Sequence, residues 1–545
     1  MDSASAQLQP LFNYLTYSLS NLETNFYKIP GSHVVARYVK SSYRNDPGRS
    51  LLELILVIFA IRTLLQARTR SETGTKHFIQ FSEKEVDELV DEWIPEPLGA
   101  ALSPEEENEL ASIPVIVGAN GPKPKLASGK QVTNLASYNF TGLAGNETIK
   151  ERAIDVLRKY GVGSCGPPGF YGTVDIHMDL ERDIADFLGT EASILYSQDF
   201  STISSVIPAF SKRGDVIVAD RGVKFAIQKG LQISRSTIRW YDHNDLKSLE
   251  EVLESVDKER RKKRWPLTRR FIVTEGIFEQ DGAMTDLPKI IELKKKYKYR
   301  LILDEGISFG TVGRTGRGLT ELYNVPATEV DMLVGSVANG LHASGGFCAG
   351  ATHVVEHQRI NGTSFVFSAA TPALLAASGS EAISILRNTP SILSTLHENI
   401  RTIRSVLERI DLISVPSHAA SPIILFTIRT PAELASSSSS STLALPTASH
   451  HGPGKHSHSN PTSVQPRDAP EFDIEAEERL CQEVVDECMA QGVWINRAKR
   501  LRGQEWLECR PSVKICVTAG LSRKECEKAA GVIKAAVVKV LGRRR

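Results

Sequence analysis

One stretch decides the fold of this chain: Leu333-Val334-Gly335-Ser336-Val337-Ala338-Asn339-Gly340, followed by Gly345-Gly346-Phe347. It combines an apolar strand, a turn and a Gly-Gly step. Similar short apolar runs precede it, with helical patterns between them, and these runs cover residues 215–220, 271–275 and 301–305. Short buried strands that alternate with helices are typical of an α/β domain. The pattern therefore predicts an α/β fold with a mainly parallel central sheet.

The residues outside this pattern predict further segments. Residues 371–411 have the spacing of helices, 412–428 resemble strands, and 521–541 predict a final amphipathic helix, which together suit a smaller C-terminal α+β domain. A serine run and a histidine-rich segment within 431–470 cannot form a core, so a disordered insertion is predicted there. We predict five segments along the chain. They are an N-terminal segment (1–50), a membrane anchor helix (51–67), a linker with an N-terminal arm (68–129), a large domain (130–370) and a small domain (371–545).

Composition excludes several classes of protein. At 545 residues, the chain is long enough for two or three packed units. The formal charge of +1 gives no reason to expect nucleic acid as a partner. None of the seven cysteines forms a Cys-x-x-Cys pair, so neither a metal site nor a disulfide framework is predicted. We expect reduced thiols in a domain that faces the cytosol.

An apolar run from Leu51 to Leu65 predicts contact with a membrane. Its fifteen residues would form a helix roughly 22 Å long, whereas a bilayer core of about 30 Å requires about 20 residues. Glu53 and Arg62 lie near its ends, where long side chains can reach the interface. A spanning anchor is the main prediction, with an interfacial helix and a buried core helix as alternatives. Basic residues flank both sides, so charge leaves the orientation open.

Four segments carry the motifs of a known family. They are 134–143, the glycine-rich 160–173 with His177, 303–318, and the opening stretch around Asn339. In this order and spacing they resemble the α-oxoamine synthase family of pyridoxal-phosphate (PLP) enzymes, over about residues 130–540 without the insertion. The resemblance implies the fold-type I, aminotransferase-like PLP transferase architecture. It also implies the activity of that family, in which an amino acid is condensed with an acyl-CoA and CO2 is released.

The resemblance also shows what this chain lacks. Asn339 occupies the position of the Schiff-base lysine, and an amide nitrogen cannot form an imine. Lys224 lies where the family stacks a histidine on the cofactor ring, and Ile307 replaces a second histidine. Asp304 matches the aspartate that pairs with the pyridinium nitrogen, although it could equally cap a turn. Ser512 matches the arginine that binds the substrate carboxylate, but Arg510 is near enough to leave that match open.

Other family features are retained, and they concern the subunit interface. The segment 165–173 keeps its glycines and its aromatic pair, and 365–372 resembles the segment that crosses to the other subunit. The resemblance therefore implies a chain that has lost its own chemistry. Its partner would be a lysine-bearing catalytic subunit that binds PLP, and this chain would contribute to that site through Cys165, Tyr171 and Ser368.

The same resemblance implies an endoplasmic reticulum membrane protein with its catalytic domain in the cytosol and with small regulatory membrane subunits as further partners. Two alternatives stay open at this point. One is a self-sufficient PLP acyltransferase in which Lys224 or another lysine forms the imine. The other is a membrane scaffold without enzymatic activity. A surface or ion-paired role is the simpler expectation for Lys224, because an imine requires accurate placement.

Overall fold

The computed structural model describes residues 24–73, 81–99, 101–263, 268–429, 473–501 and 503–542, with the backbone alone at 66–73 and at 105. The insertion predicted at 431–470 lies outside the described residues. The chain divides into two compact units, Met1–Ala111 and Ser112–Arg545. The second unit contains both the predicted large domain and the predicted C-terminal domain.

The first unit is helical. Its helices are α1 (Ser32–Asn45), α2 (Pro47–Thr73) and α3 (Glu83–Glu92), and α4 (Pro104–Ser112) follows. A capping box, in which Ser82 and Glu85 bond reciprocally, begins α3. Among the helices whose side chains are described, none is both long enough and apolar enough to cross a membrane. The spanning anchor at 51–67 therefore stays a prediction.

The second unit is built around a sheet of short strands. Strands β1 (Ile116–Val117), β2 (Lys125–Leu126) and β3 (Thr133–Asn134) precede it. The seven described strands of the central sheet are β4 (Ala192–Tyr196), β5 (Val216–Asp220), β6 (Thr237–Tyr241), β7 (Arg270–Glu275), β8 (Arg300–Asp304), β9 (Met332–Ser336) and β10 (Gly346–Gly350). The remaining described strands are β11 (Ile413–Ser414), β12 (Ile423–Ile428), β13 (Val493–Trp494), β14 (Asn496–Arg497) and β15 (Val513–Cys516).

Helices connect and cover these strands. Those of the large domain are α5 (Glu147–Tyr160), α6 (Asp175–Leu188), α7 (Asp199–Phe210), α8 (Phe225–Ser234), α9 (Leu246–Lys263), α10 (Leu287–Tyr297), α11 (Leu319–Leu322), α12 (Val337–Leu341), α13 (Thr352–Asn361) and α14 (Thr363–Phe367). The C-terminal ones are α15 (Ala373–Asn388), α16 (Ser391–Leu407), α17 (Ile474–Ala490) and α18 (Arg523–Gly542). Two tight turns, the π-helical Pro168–Gly172 and the 3-10 turn Ala327–Glu329, complete the set.

The central sheet has the order β4-β10-β9-β8-β7-β5-β6. Strands β6, β5, β7, β8 and β9 are parallel, whereas β10 is antiparallel to both β9 and β4. The prediction of a mainly parallel sheet is confirmed with this one exception. Its reason is local: only α12 and a short turn separate β9 from β10, so the chain returns alongside itself without a crossover.

Both faces of the sheet are buried, which explains the continuous apolar runs. Along β5, Val218 lies in one core cluster while Ile217 and Ala219 lie in the other. The same alternation continues in β8, where Leu303 and Ile302 point to opposite faces. The edge at which these strands end is therefore the part of the sheet that is free to carry polar side chains.

The C-terminal sheet is antiparallel, with the order β11-β12-β15-β14. Its strands β11 and β12 lie within 412–428, where the pattern predicted strands. Helices α15, α16 and α18 lie where the spacing at 371–411 and 521–541 predicted helices. Strand β13 pairs in parallel with β3, which joins this region to the start of the large domain.

Candidate functional site

Three neighbouring strands end in a carboxylate. Asp220 ends β5, Glu275 ends β7 and Asp304 ends β8, and all three side chains are buried. Because β5, β7 and β8 are parallel neighbours, their carboxyl ends lie at the same edge of the sheet. This is the edge where open α/β sheets bind ligands.

Lys224 meets one of these carboxylates directly. It immediately precedes α8, and its Nζ lies 2.8 Å from Asp304 Oδ2, with 15% and 2% of the two side chains exposed. Its backbone N–H donates to Glu275 Oε1 at 2.5 Å. Burial by itself would lower the pKa of Lys224, but the carboxylates of Asp304, Asp199 and Glu275 outweigh that effect and raise the pKa. Lys224 is therefore a charged, ion-paired residue.

Asn339 lies in α12, directly after β9. Its backbone N–H donates to Ser336 Oγ at 3.1 Å, and its Nδ2 donates to the carbonyl oxygen of Gly306 at 2.9 Å. A Cβ added to Gly306 would lie 2.9 Å from Asp304 Oδ1 and 3.0 Å from Lys224 Nζ. Asn339, Gly306, Asp304 and Lys224 thus lie together in one cluster at the carboxyl edge of the sheet, called here the pocket because the family resemblance implies a cofactor there.

The residues of this pocket do not fit PLP. The family holds that cofactor by an imine to a lysine and by a carboxylate that pairs with the protonated pyridine nitrogen. Here an amide stands at position 339, and the carboxylate of Asp304 already faces an ammonium group. A pyridinium placed there would bring a second cation to a buried site, at a high cost in desolvation and repulsion. No catalytic step can be assigned to this pocket.

The other positions of the predicted constellation lie elsewhere or have structural partners. Ile307 is part of the main hydrophobic core. Ser512 is buried, and its carbonyl oxygen accepts from the backbone N–H of Ala498 at 2.9 Å. Arg510 donates from Nε and Nη2 to both oxygens of Glu477, at 2.8 and 2.7 Å, so its guanidinium is engaged in an internal ion pair.

A second region contains Cys165, Tyr171 and Ser368. Cys165 is exposed, and its backbone angle φ of 53° lies in the left-handed region, which residues other than glycine rarely adopt. Tyr171 lies in the turn Pro168–Gly172 and is 88% exposed. Ser368 Oγ lies 3.1 Å from Ser197 Oγ and donates to the carbonyl oxygen of Ser364 at 2.7 Å.

Hydrogen bonds bring these residues into one region, called here the interface loop (162–173 and 365–371). The N–H of Ala370 donates to the carbonyl oxygen of Gly166 at 2.9 Å. His177 accepts from the N–H of Val174 at Nδ1, so Nε2 carries the proton and donates to the carbonyl oxygen of Thr371 at 2.5 Å. These hydrogen bonds join the two segments, and large apolar side chains remain exposed on them, namely Val162, Phe170, Tyr171 and Phe367.

Helix α7 lies between the pocket and the interface loop. Burial raises the pKa of Asp199 at the start of this helix, and the charges of Lys224 and Asp304 act on the same carboxyl group. Two residues further on, Ser201 Oγ accepts from Ser364 Oγ at 2.9 Å. The polar pocket and the loop therefore share one supporting element.

Sequence reasoning missed Glu275, Asp199 and His243 as members of this region. His243 lies between two carboxylates, with Nδ1 2.7 Å from Asp220 Oδ1 and Nε2 3.0 Å from Asp281 Oδ2. A usable signal was present, since acidic residues end three of the apolar strand runs. Parallel strands place such residues together, and that rule would have found Asp220 and Glu275.

Comparison with known proteins agrees with this architecture. Residues 130–533 match the model of the family described as aminotransferase class I and II. The chain belongs to the aminotransferase class I and II family. A family member in rice, "Long chain base biosynthesis protein 1b", is 46% identical over 349 residues, which cover 64% of this chain and 71% of that protein. "Serine palmitoyltransferase 1" of Saccharomyces cerevisiae is 35% identical over 543 residues, with 96% and 95% of the two chains covered.

Solved structures of other proteins share the fold. A serine palmitoyltransferase from S. paucimobilis with a bound PLP–myriocin aldimine has a TM-score of 0.65 at 18% identity, over 85% of this chain and 100% of that one. The Sphingomonas wittichii serine palmitoyltransferase also has a TM-score of 0.65, at 19% identity, over 85% and 100% of the two chains. At these identities the likeness establishes the fold, and the aminotransferase-like architecture is thereby confirmed.

Proposed function

We propose that this chain is the lysine-lacking subunit of a serine palmitoyltransferase, which forms sphingolipid long-chain bases. The complete enzyme would condense L-serine with palmitoyl-CoA to 3-ketodihydrosphingosine, with release of CO2 and CoA. The relatives named serine palmitoyltransferase 1 support this assignment of the reaction. One observation carries the assignment of the subunit: the side chain at the imine position is the amide of Asn339, and it is already bonded to Gly306.

In this proposal a homologous catalytic subunit supplies the lysine and holds PLP, whose ring withdraws electrons from the reacting carbon. This chain stabilises that subunit and completes its active site across the interface. Cys165, Tyr171 and Ser368 are the residues proposed to face it. The exposed aromatic side chains of the interface loop support this, because exposed apolar clusters of this kind mark interaction surfaces.

We further propose attachment to the endoplasmic reticulum membrane by a single pass at 51–67, with the catalytic domain in the cytosol. The described apolar side chains of α2 support attachment, since Leu51, Ile55 and Phe59 are all more than half exposed. An acyl chain and a long-chain base both partition into bilayers, so an attached enzyme works where they are concentrated. Small membrane subunits with a regulatory role would bind the same helical region.

Purification of the chain from its native membrane tests the proposal. We expect a homologous polypeptide with a lysine at the position of Asn339 to co-purify, and the complex to condense serine with palmitoyl-CoA. Each polypeptide is also expressed alone as a control. An imine absorbance band from this chain alone would support a self-sufficient enzyme instead. Unchanged condensation when this chain is added to the lysine-bearing homologue would support a scaffold without an enzymatic role.

A further inference from the structure

The pocket at the carboxyl edge of the sheet contains its own cation. Lys224 Nζ and Asp304 Oδ2 are 2.8 Å apart, and little of either side chain reaches solvent. The other oxygen of Asp304 accepts from the N–H of Gly306 at 2.8 Å. The carboxylate is therefore held from both sides by groups of this chain alone.

We propose that the ammonium of Lys224 replaces the pyridinium of the cofactor as the counter-ion of Asp304. The chain then keeps its fold without PLP, and its own pocket does not take up the cofactor. In a PLP-binding relative, the buried aspartate has a partner when the cofactor is bound. Here the partner is covalently part of the chain and is always present.

The space around the pair supports this reading. A side chain at Gly306 would crowd the pair, because an added Cβ would lie within 3.0 Å of both Asp304 Oδ1 and Lys224 Nζ, and these side chains would have to shift. Asn339 lies beside the same pair, because its Nδ2 donates to the carbonyl oxygen of Gly306. The pair is thus enclosed by its neighbours rather than placed at an open surface.

The charges around the pair also oppose cofactor binding. Asp304, Asp199 and Glu275 all act on the single ammonium of Lys224. Burial raises the pKa of Glu275 and of Asp199, which favours their neutral forms, so Lys224 and Asp304 balance each other and a pyridinium placed there would have no free counter-ion. The role of Lys224 as a counter-ion and the amide of Asn339 at the imine position therefore both predict that this pocket does not bind PLP.

The test uses the full-length chain, expressed without any partner. Thermal unfolding is measured for the wild type and for Lys224→Met, Lys224→Arg, and Lys224→Met combined with Asp304→Asn. Lys258→Met is the matched control, because Lys258 pairs with Glu254 at 3.1 Å on the surface, where 72% and 53% of the side chains are exposed. Pyridoxamine 5′-phosphate is the ligand probe, since it cannot form an imine with surface lysines.

We expect Lys224→Met to lower the unfolding midpoint by roughly 5 °C, because it leaves a buried carboxylate unpaired. Lys224→Arg and the double variant should recover most of that loss, and Lys258→Met should have little effect. Pyridoxamine 5′-phosphate should not raise the midpoint of the wild type. If Lys224→Met fails to fold, the arginine and double variants still report on the pair.

Two results would overturn the proposal. One is a wild-type midpoint that rises in a saturable way with the probe. The other is an equal unfolding midpoint for Lys224→Met and for the double variant, which would show that the charge of Asp304 does not need the ammonium of Lys224. Neither measurement involves serine, acyl-CoA or a partner chain, so the outcome is separate from that of the proposed function.

Discussion

In α12, directly after β9, the amide of Asn339 donates to the carbonyl oxygen of Gly306. Beside the same glycine, the ammonium of Lys224 forms an ion pair with Asp304. Each of these side chains differs from the one that a PLP site of this family requires. Both side chains have partners within the chain: Asn339 donates a hydrogen bond to Gly306, and Lys224 forms an ion pair with Asp304 Oδ2, an oxygen that has no hydrogen bond among the described residues besides this contact.

This arrangement predicts the behaviour of Asn339→Lys. The substitution restores an amine, but Lys224 still pairs with Asp304 where the pyridinium would lie, and no ring-stacking histidine is present. We expect no stoichiometric, borohydride-reducible PLP adduct at position 339 of the isolated chain. Asn339→Gln, which keeps the amide, is the matched control. An adduct with the single substitution would show that position 339 alone separates this chain from a catalytic one.

His243 predicts a pH dependence of stability. Burial by itself would lower its pKa, but the hydrogen bonds to Asp220 and Asp281 outweigh burial and raise the pKa to about 10. Because the folded value exceeds the ordinary value of about 6.5, the ion pairs contribute fully below about pH 6.5. Their contribution is lost as pH rises towards 10.

We therefore expect His243→Gln to reduce the free energy of unfolding by about 2 kcal/mol near pH 6, with a difference from wild type that shrinks as pH approaches 10. Denaturant titrations over a series of pH values measure this difference. His353→Gln, at an exposed position, serves as the control. A difference that is constant with pH would mean that His243 is neutral in the folded protein.

At the scale of a single element, the turn Pro168–Gly172 decides how the interface loop is presented. A Cβ at Gly172 would overlap with the carbonyl oxygen of Gly166 and with Pro167, whereas a Cβ at Gly169 would meet nothing within 4 Å. Neither glycine has a positive φ. Alanine at the two positions is therefore expected to differ in steric overlap and not in backbone strain.

Gly172→Ala and Gly169→Ala form a matched pair for this element. We expect Gly172→Ala to destabilise the chain by about 2 kcal/mol and to weaken its association with the catalytic subunit, because the turn must move to relieve the overlap. Gly169→Ala should change neither quantity. Unfolding and co-purification measure the two effects, and equal behaviour of both variants would show that the turn is not constrained in this way.

At the scale of the whole molecule, the interface loop gathers exposed apolar side chains from segments far apart in the chain. Phe170 and Tyr171 come from one segment and Phe367 from the other, and each is at least 74% exposed. The helix that carries Phe367 contacts the turn that carries Tyr171. These exposed apolar side chains therefore form one surface, and this supports the proposed contact with a catalytic subunit.

Tyr171→Ala tests this surface. An exposed aromatic residue at the centre of an interface commonly contributes 2 kcal/mol or more, so we expect the dissociation constant for the catalytic subunit to rise by roughly 30-fold. The stability of the isolated chain should not change. Val538→Ala, on the outer side of α18, is the control. Unchanged affinity for the partner would place the interface elsewhere.

Membrane topology gives a further prediction at this scale. Asn139, Asn146 and Asn361 each begin a glycosylation sequon, and all three are predicted to stay unmodified. Asn139 is buried and its Oδ1 accepts from the N–H of Ala144 at 3.2 Å, while Asn146 is half-buried and caps α5 through its side chain. A glycan on Asn139 is incompatible with the fold, so the exposed Asn361 is the informative site. With the catalytic domain in the cytosol, we expect no glycan on Asn361 in microsomes.

Tyr27→Thr supplies the positive control for topology, because it creates a sequon at Asn25, before the apolar run. In a single-pass arrangement Asn25 lies in the lumen and should be modified. Glycan on Asn361 would reverse the proposed orientation.

The sequence by itself determined the α/β architecture and the absence of an amine at position 339, because both depend on the identity of side chains at local positions. Apolar runs with buried faces predict strands wherever they occur, and Asn339 cannot form an imine in any fold. Only the tertiary structure decided that Lys224 pairs with Asp304 and that the segments around Tyr171 and Ser368 share one surface. These contacts depend on how distant parts of the chain meet at the ends of parallel strands, which local pattern does not specify.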